Sequence, residues 1–140
     1  MKDEEKYNKT SLVEPLMSTL PNSGPLDLRT RTKQYALRII RLYSARPTGV
    51  AAQVMEKQLL RAGTSVGAHY REASRARSDA EFISKLEVGL QELDESSYWM
   101  ELLTESQTID AARLENLMGE SNELIAILTT CVKKVKQKKE

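Results

Sequence analysis

The 140-residue chain has one cysteine, Cys131, and one histidine, His69. A lone cysteine excludes an intramolecular disulfide and fits a reducing, cytoplasmic setting. A lone histidine makes a histidine-based metal site within one chain hard to build. Apolar runs are only a few residues long, so no stretch of roughly 20 residues can span a bilayer. The opening MKDEEKYNKT is acidic and polar and has no apolar centre of the kind a secretory signal needs. There are only six glycines and four prolines, and Pro15, Pro21 and Pro25 all fall early in the chain. Beyond them little punctuates a helix or signals a strand, which predicts an all-α body. Aromatics are scarce too: five Tyr, one Trp and one Phe leave little for base stacking of the single-strand type.

What is present is helical rhythm. Residues 1–26 read as a mobile tail, broken by its prolines and by Asn22, Ser23 and Gly24, with Leu12, Val13, Leu16, Met17 and Leu20 as a small apolar patch. A first helix is predicted from about Leu28 to Ala45, capped by Asp27, with Leu28, Tyr35, Ile39, Leu42 and Tyr43 as its stripe. Arg46, Pro47 and Thr48 break it. A second runs from about Gly49 to Ala73 with Ala51, Val54, Met55, Gln58, Leu59, Ala62, Ser65, Val66 and His69 inward. Ser78 and Glu81 form the S-x-x-E capping box that opens a third, whose seam is Ile83, Leu86, Leu90, Leu93, Ser97 and Met100. A fourth starts near Asp110 and repeats Leu114, Leu117, Ser121, Leu124, Leu128, Cys131 and Val135. Short links between long helices force antiparallel neighbours. The expected architecture is an antiparallel up-down-up-down four-helix bundle over residues 27–136, with a charged tail at 137–140.

The net charge of +1 conceals a segregated pattern. Residues 28–77 carry eleven bases and two acids; residues 78–123 carry twelve acids and two bases. Two readings follow. The halves can attract within one bundle, through exposed pairs worth only about 0–1 kcal/mol each. Alternatively the basic half of one copy meets the acidic half of another, a head-to-tail contact that closes a ring or extends a filament. The first helix holds no acid, so Arg29, Arg31, Lys33, Arg38 and Arg41 are candidate phosphate contacts, with Lys133, Lys134 and Lys136 as a second patch.

Chemistry-bearing patterns are weak. His69 and Glu72, three apart, reverse the Glu-x-x-His order of di-metal bundles and lack a second histidine. Glu92, Asp94 and Glu95 read as the wet face of a helix, and Cys131 sits on the apolar rhythm as a structural thiol. Gly63 and Gly67 are not a phosphate loop, since no Gly-Lys-Ser/Thr follows; they predict close helix approach.

The block Lys57-Gln58-Leu59-Leu60-Arg61-Ala62-Gly63-Thr64-Ser65-Val66-Gly67-Ala68-His69-Tyr70-Arg71-Glu72-Ala73, then Ser78-Asp79-Ala80-Glu81-Phe82-Ile83-Ser84-Lys85-Leu86, then Gln91-Glu92-Leu93-Asp94-Glu95 with Tyr98-Trp99, resembles the four helix bundle protein family, also called the rRNA intervening-sequence protein family. The resemblance covers about residues 35–132. Ala62 stands where the family usually has serine, and His69 and Tyr70 stand where it has asparagine and isoleucine. It implies a bacterial four-helix bundle that assembles into a ring-shaped homopentamer, with no established enzyme activity. The accessory variability determinant proteins of diversity-generating retroelements, which work with a reverse transcriptase and nucleic acid, look similar.

The reading that results is a non-catalytic, cytoplasmic, homo-oligomeric scaffold with no cofactor, metal or small-molecule substrate. Its partners are copies of itself and, through the basic residues, RNA or DNA. Tyr35, Tyr70, Tyr98 and Trp99 are candidates for apolar surface between subunits. The competing readings are a protein-interaction adaptor and a small bundle enzyme using His69 with Glu72 and Glu92.

Overall fold

The computed structural model describes residues 27–44 and 49–138. The expected tail over 1–26, the break at 46–48 and the last two residues lie outside the described residues. Four helices follow one another: α1 Leu28–Ser44, α2 Val50–Ser74, α3 Asp79–Glu105 and α4 Ala111–Gln137. Among the described residues there is no strand, and no helix is long and apolar enough to cross a membrane.

The helix starts follow from local chemistry. Asp27 Oδ1 accepts from Thr30 N at 2.7 Å, satisfying a first-turn amide of α1. Ser78 Oγ accepts from Glu81 N at 3.0 Å. Glu81 reaches back as a capping box requires, but one residue further, accepting from Arg77 N at 3.0 Å. The turn between α3 and α4 places Gln107 at φ 61° and ties Thr108 N and Ile109 N to the Leu103 carbonyl, which brings Ile109 into the core.

Successive helices run antiparallel. Across α1 and α2, Ile39 faces Gly63 while Thr32 faces Gly67. Across α2 and α3, Arg61 pairs with Glu92 while Glu72 pairs with Lys85. Helices α3 and α4 are joined at 106–110 and pinned at the opposite end by Lys136 Nζ on Glu87 at 3.1 Å. The start of α1 and the end of α4 therefore lie at the same end of the bundle. Tyr70 on α2 feels Asp27, Arg29 and Cys131 together, which agrees with that placement.

The core lies on α4 along the expected rhythm, with Leu114, Leu117, Ser121, Leu124, Leu128, Cys131 and Val135 all buried. On α2 the buried face is Ala52, Glu56, Leu59, Ala62, Gly63, Val66, Tyr70 and Ala73, whereas Ala51 and Val54 are exposed. This helix packs against both α1 and α3, so its small residues go inward on two sides. On α3, Phe82, Gly89, Ser96 and Leu103 join Leu86, Leu93 and Met100, leaving Ile83, Leu90 and Ser97 half-buried. One polar layer crosses the core: the Tyr35 hydroxyl and Ser121 Oγ share a 2.5 Å hydrogen bond, with the Ser96 hydroxyl beside them.

Candidate nucleic-acid interface

Helix α1 presents its charges on an amphipathic cylinder, so residues four apart share a side. Arg29, Lys33 and Arg41 are exposed, and Arg38 is half-buried. None makes an ion pair among the described residues. Arg31 is different and is withdrawn from the candidate phosphate contacts. It is 5% exposed and is clamped to α4, with Nε 3.2 Å from Glu120 Oε2 and Nη2 2.8 Å from Glu123 Oε2. The hydrogen bond it donates to Glu120 is the main cause that holds its guanidinium above the usual range. Its Nη1 has no partner but is buried, so this arginine presents nothing at the surface for a ligand.

The second patch also divides. Lys133 and Lys134 are exposed and make no ion pair among the described residues, while Lys136 is engaged by Glu87. Sequence reasoning passed over Arg71. It lies late on α2, opposite the start of α1, and is exposed without an ion pair among the described residues. The signal that could have found it is geometric: antiparallel α1 and α2 bring Lys33 and Arg71 onto facing sides. Between them runs a groove of about 340 Å³ lined by Thr32, Lys33 and Ala36 of α1 and Thr64, Gly67, Ala68 and Arg71 of α2. Small side chains keep its floor open, and one cation stands on each wall.

Acidic charge of the second half meets the first half within the chain. Besides the Arg31 clamp, Arg61 bridges Glu92 at 3.2 Å and also pairs with Glu95. One pair runs the other way, with Lys85 holding Glu72 at 2.7 Å. The lysine hydrogen bond keeps the Glu72 carboxyl below its ordinary value.

Two of the four aromatic interface candidates are buried inside the protomer: Tyr35 at 0% and Tyr70 at 4% exposure. They cannot present surface to a neighbour. Tyr98 is 53% exposed and meets Trp99 edge-on, ring centroids 5.5 Å apart. Trp99 is half-buried and its indole Nε1 donates to Glu95 at 3.5 Å.

The residues of the enzyme reading do not converge. His69 Nδ1 is 3.6 Å from Glu72, but that carboxylate is taken by Lys85, and Glu92 is taken by Arg61, eight residues earlier on α2 or about 12 Å along its axis. Burial pushes the Cys131 thiol up to about 11, the opposite of a poised nucleophile. Among the described residues no group of three His, Cys, Asp or Glu side chains could hold a metal ion.

The model of the 23S rRNA-intervening sequence protein family matches residues 25–130, which takes in α1 to α3 and most of α4. The chain belongs to that family. A solved structure, titled as a protein with unknown function from the S23 ribosomal protein family of Bacteroides thetaiotaomicron, shares 38% identity. The match covers 75% of this chain and 94% of that one, with a TM-score of 0.70. Among curated proteins, none matches the sequence. The bundle expected from the resemblance is thus the fold observed, and no catalytic family is indicated.

Proposed function

We propose that the protein is a non-catalytic, homo-oligomeric bundle scaffold that holds nucleic acid by its phosphates. The observation that carries this reading is the cationic surface at one end of the bundle: Arg29, Lys33 and Arg71 are exposed there with no acidic partner among the described residues. Other bases, such as Arg31 and Arg61, are consumed by intrachain pairs, so the ones without a pair among the described residues are available to phosphate. A cytoplasmic location belongs to the same reading and is supported by the single thiol, Cys131.

Assembly is its second part. In this reading the basic surface of one copy meets the acidic surface of the next head-to-tail, a contact that closes a ring or extends a filament. The resemblance noted from sequence makes five the expected number. Exposed Tyr98 with Trp99 supplies the apolar surface that ion pairs alone lack.

Salt titration of binding tests the first part. Affinity for a labelled duplex should fall with a log–log slope near −0.9 per phosphate neutralised. Replacing Arg29, Lys33 and Arg71 by glutamine should flatten it. No binding at low salt would overturn the nucleic-acid reading and leave a protein-interaction adaptor, which exposed Val50 and Val54 would serve. Light scattering at low salt tests the second part, and a monomer would overturn it.

A further inference from the structure

The groove between α1 and α2 carries more than charge. Thr32 Oγ1 donates to the Leu28 carbonyl at 2.7 Å, and Thr64 Oγ1 donates to the Leu60 carbonyl at 2.7 Å. Each hydroxyl has a single hydrogen, and here that hydrogen is spent on the turn before it. The oxygens that line the groove therefore offer acceptor lone pairs only. Thr64 is the more open of the two, being half-buried where Thr32 is buried. No backbone donor is free inside a helix, and the remaining floor is Ala36, Gly67 and Ala68.

The site thus combines two unlike requirements. Lys33 and Arg71 call for an anion. The threonine oxygens reject a bare anion, whose lone pairs would face theirs, and call for a hydroxyl donor beside it. A carboxylate side chain meets only the first requirement, and so does a deoxyribose phosphate. A ribose phosphate meets both, because its 2′-hydroxyl can donate while the adjoining phosphate is clamped. The same floor has no aromatic ring and no donor to read a base edge, so recognition stays with the backbone.

Resting on the phosphate-binding reading above, we propose that this groove seats the ribose-phosphate backbone of RNA, with Lys33 and Arg71 on the phosphate and Thr64 accepting from the 2′-hydroxyl, and that it favours RNA over DNA without regard to sequence.

The experiment uses the full chain and three short oligomers of one base: uridine, deoxyuridine and 2′-O-methyluridine, with affinity read by fluorescence anisotropy. One hydrogen bond predicts that the uridine oligomer binds about three- to tenfold tighter than the other two. Thr64→Val should bring the three together, and Thr64→Ser should keep the preference. Lys33→Gln with Arg71→Gln should weaken all three alike. Equal binding of the three by the native protein overturns the inference and leaves the phosphate reading standing. So does a 2′-O-methyl oligomer that binds like RNA, since that reports backbone shape and not a donated hydrogen. A preference that survives Thr64→Val overturns it as well, as does a glutamate oligomer of equal charge that competes as well as RNA. No binding of any oligomer overturns both readings together.

Discussion

The Cδ1 methyl of Ile39 occupies the space that a side chain on Gly63 would need, at a distance no β-carbon tolerates. Ile39 is itself buried, so it cannot swing into solvent. The glycine is therefore a close-approach residue that lets α1 lie on α2. Gly63→Val should overpack this contact and destabilise the fold by about 1–3 kcal/mol in chemical denaturation. Gly119 on α4 is the opposite case, since a β-carbon there meets nothing within 4 Å. Gly119→Ala should stabilise the protein by about 0.5–1 kcal/mol, because only the helix-propensity gain remains. Shifts of the same sign in both variants would refute the distinction.

The clamp of Arg31 on Glu120 and Glu123 sets a second contrast. Arg31→Ala removes a buried cation and strands two carboxylates that are themselves largely covered, so a loss of about 3 kcal/mol is expected. Arg61, half-exposed, pairs with two carboxylates as well, yet Arg61→Ala should cost at most about 1 kcal/mol. Urea midpoints of the two variants decide the matter, and equal losses would count against it.

Glu72 gives a pH prediction. Its folded carboxyl is held below the ordinary 4.5 by the hydrogen bond from Lys85. The stabilisation it provides is full above that ordinary value and is lost as pH falls through the lowered one. A carbon-detected NMR titration should place the Glu72 midpoint below 4.5, and Lys85→Met should return it toward that value. A midpoint already normal in the native protein would show that the pair does not form.

Cys131 titrates on the other limb. Burial raises the thiol from 9.0 to about 11, so the folded state disfavours the thiolate. Stability from this group is complete below pH 9 and declines as pH rises toward 11. At pH 8 a disulfide reagent should label Cys131 only as fast as the bundle opens, and labelling should accelerate in urea. Rapid stoichiometric labelling of the native protein would contradict the burial.

The elements that were legible in the sequence are those governed by local rules. Asp27, Ser78 and Asp110 cap as their side chains require, and the α4 rhythm is the buried one. The faces of α2 and α3 were read less well because both helices are contacted on two sides. There a single stripe of large residues is the wrong template, and glycine or alanine marks the inside as surely as leucine does. Arg31 and Lys33 look equivalent in a string of bases. Only the fold separates them, because Glu120 and Glu123 lie about ninety residues away along the chain. Arg71 was missed for the complementary reason: its significance comes from a neighbouring helix.

The hydroxyl pair of Tyr35 and Ser121 acts as a key for alignment. Leu114, Ser121 and Leu128 stand at seven-residue intervals on α4, and Gly89, Ser96 and Leu103 do so on α3. A seam of leucines alone would let α4 slide by two turns and still bury apolar surface. Such a slide would put Leu114 or Leu128 against the Tyr35 phenol and orphan its hydroxyl, at about 1–3 kcal/mol. One small polar layer thus distinguishes alignments that greasy side chains treat as equals. Swapping it for a phenylalanine–alanine pair would leave that choice of alignment to the neighbouring Arg31 clamp on Glu120 and Glu123.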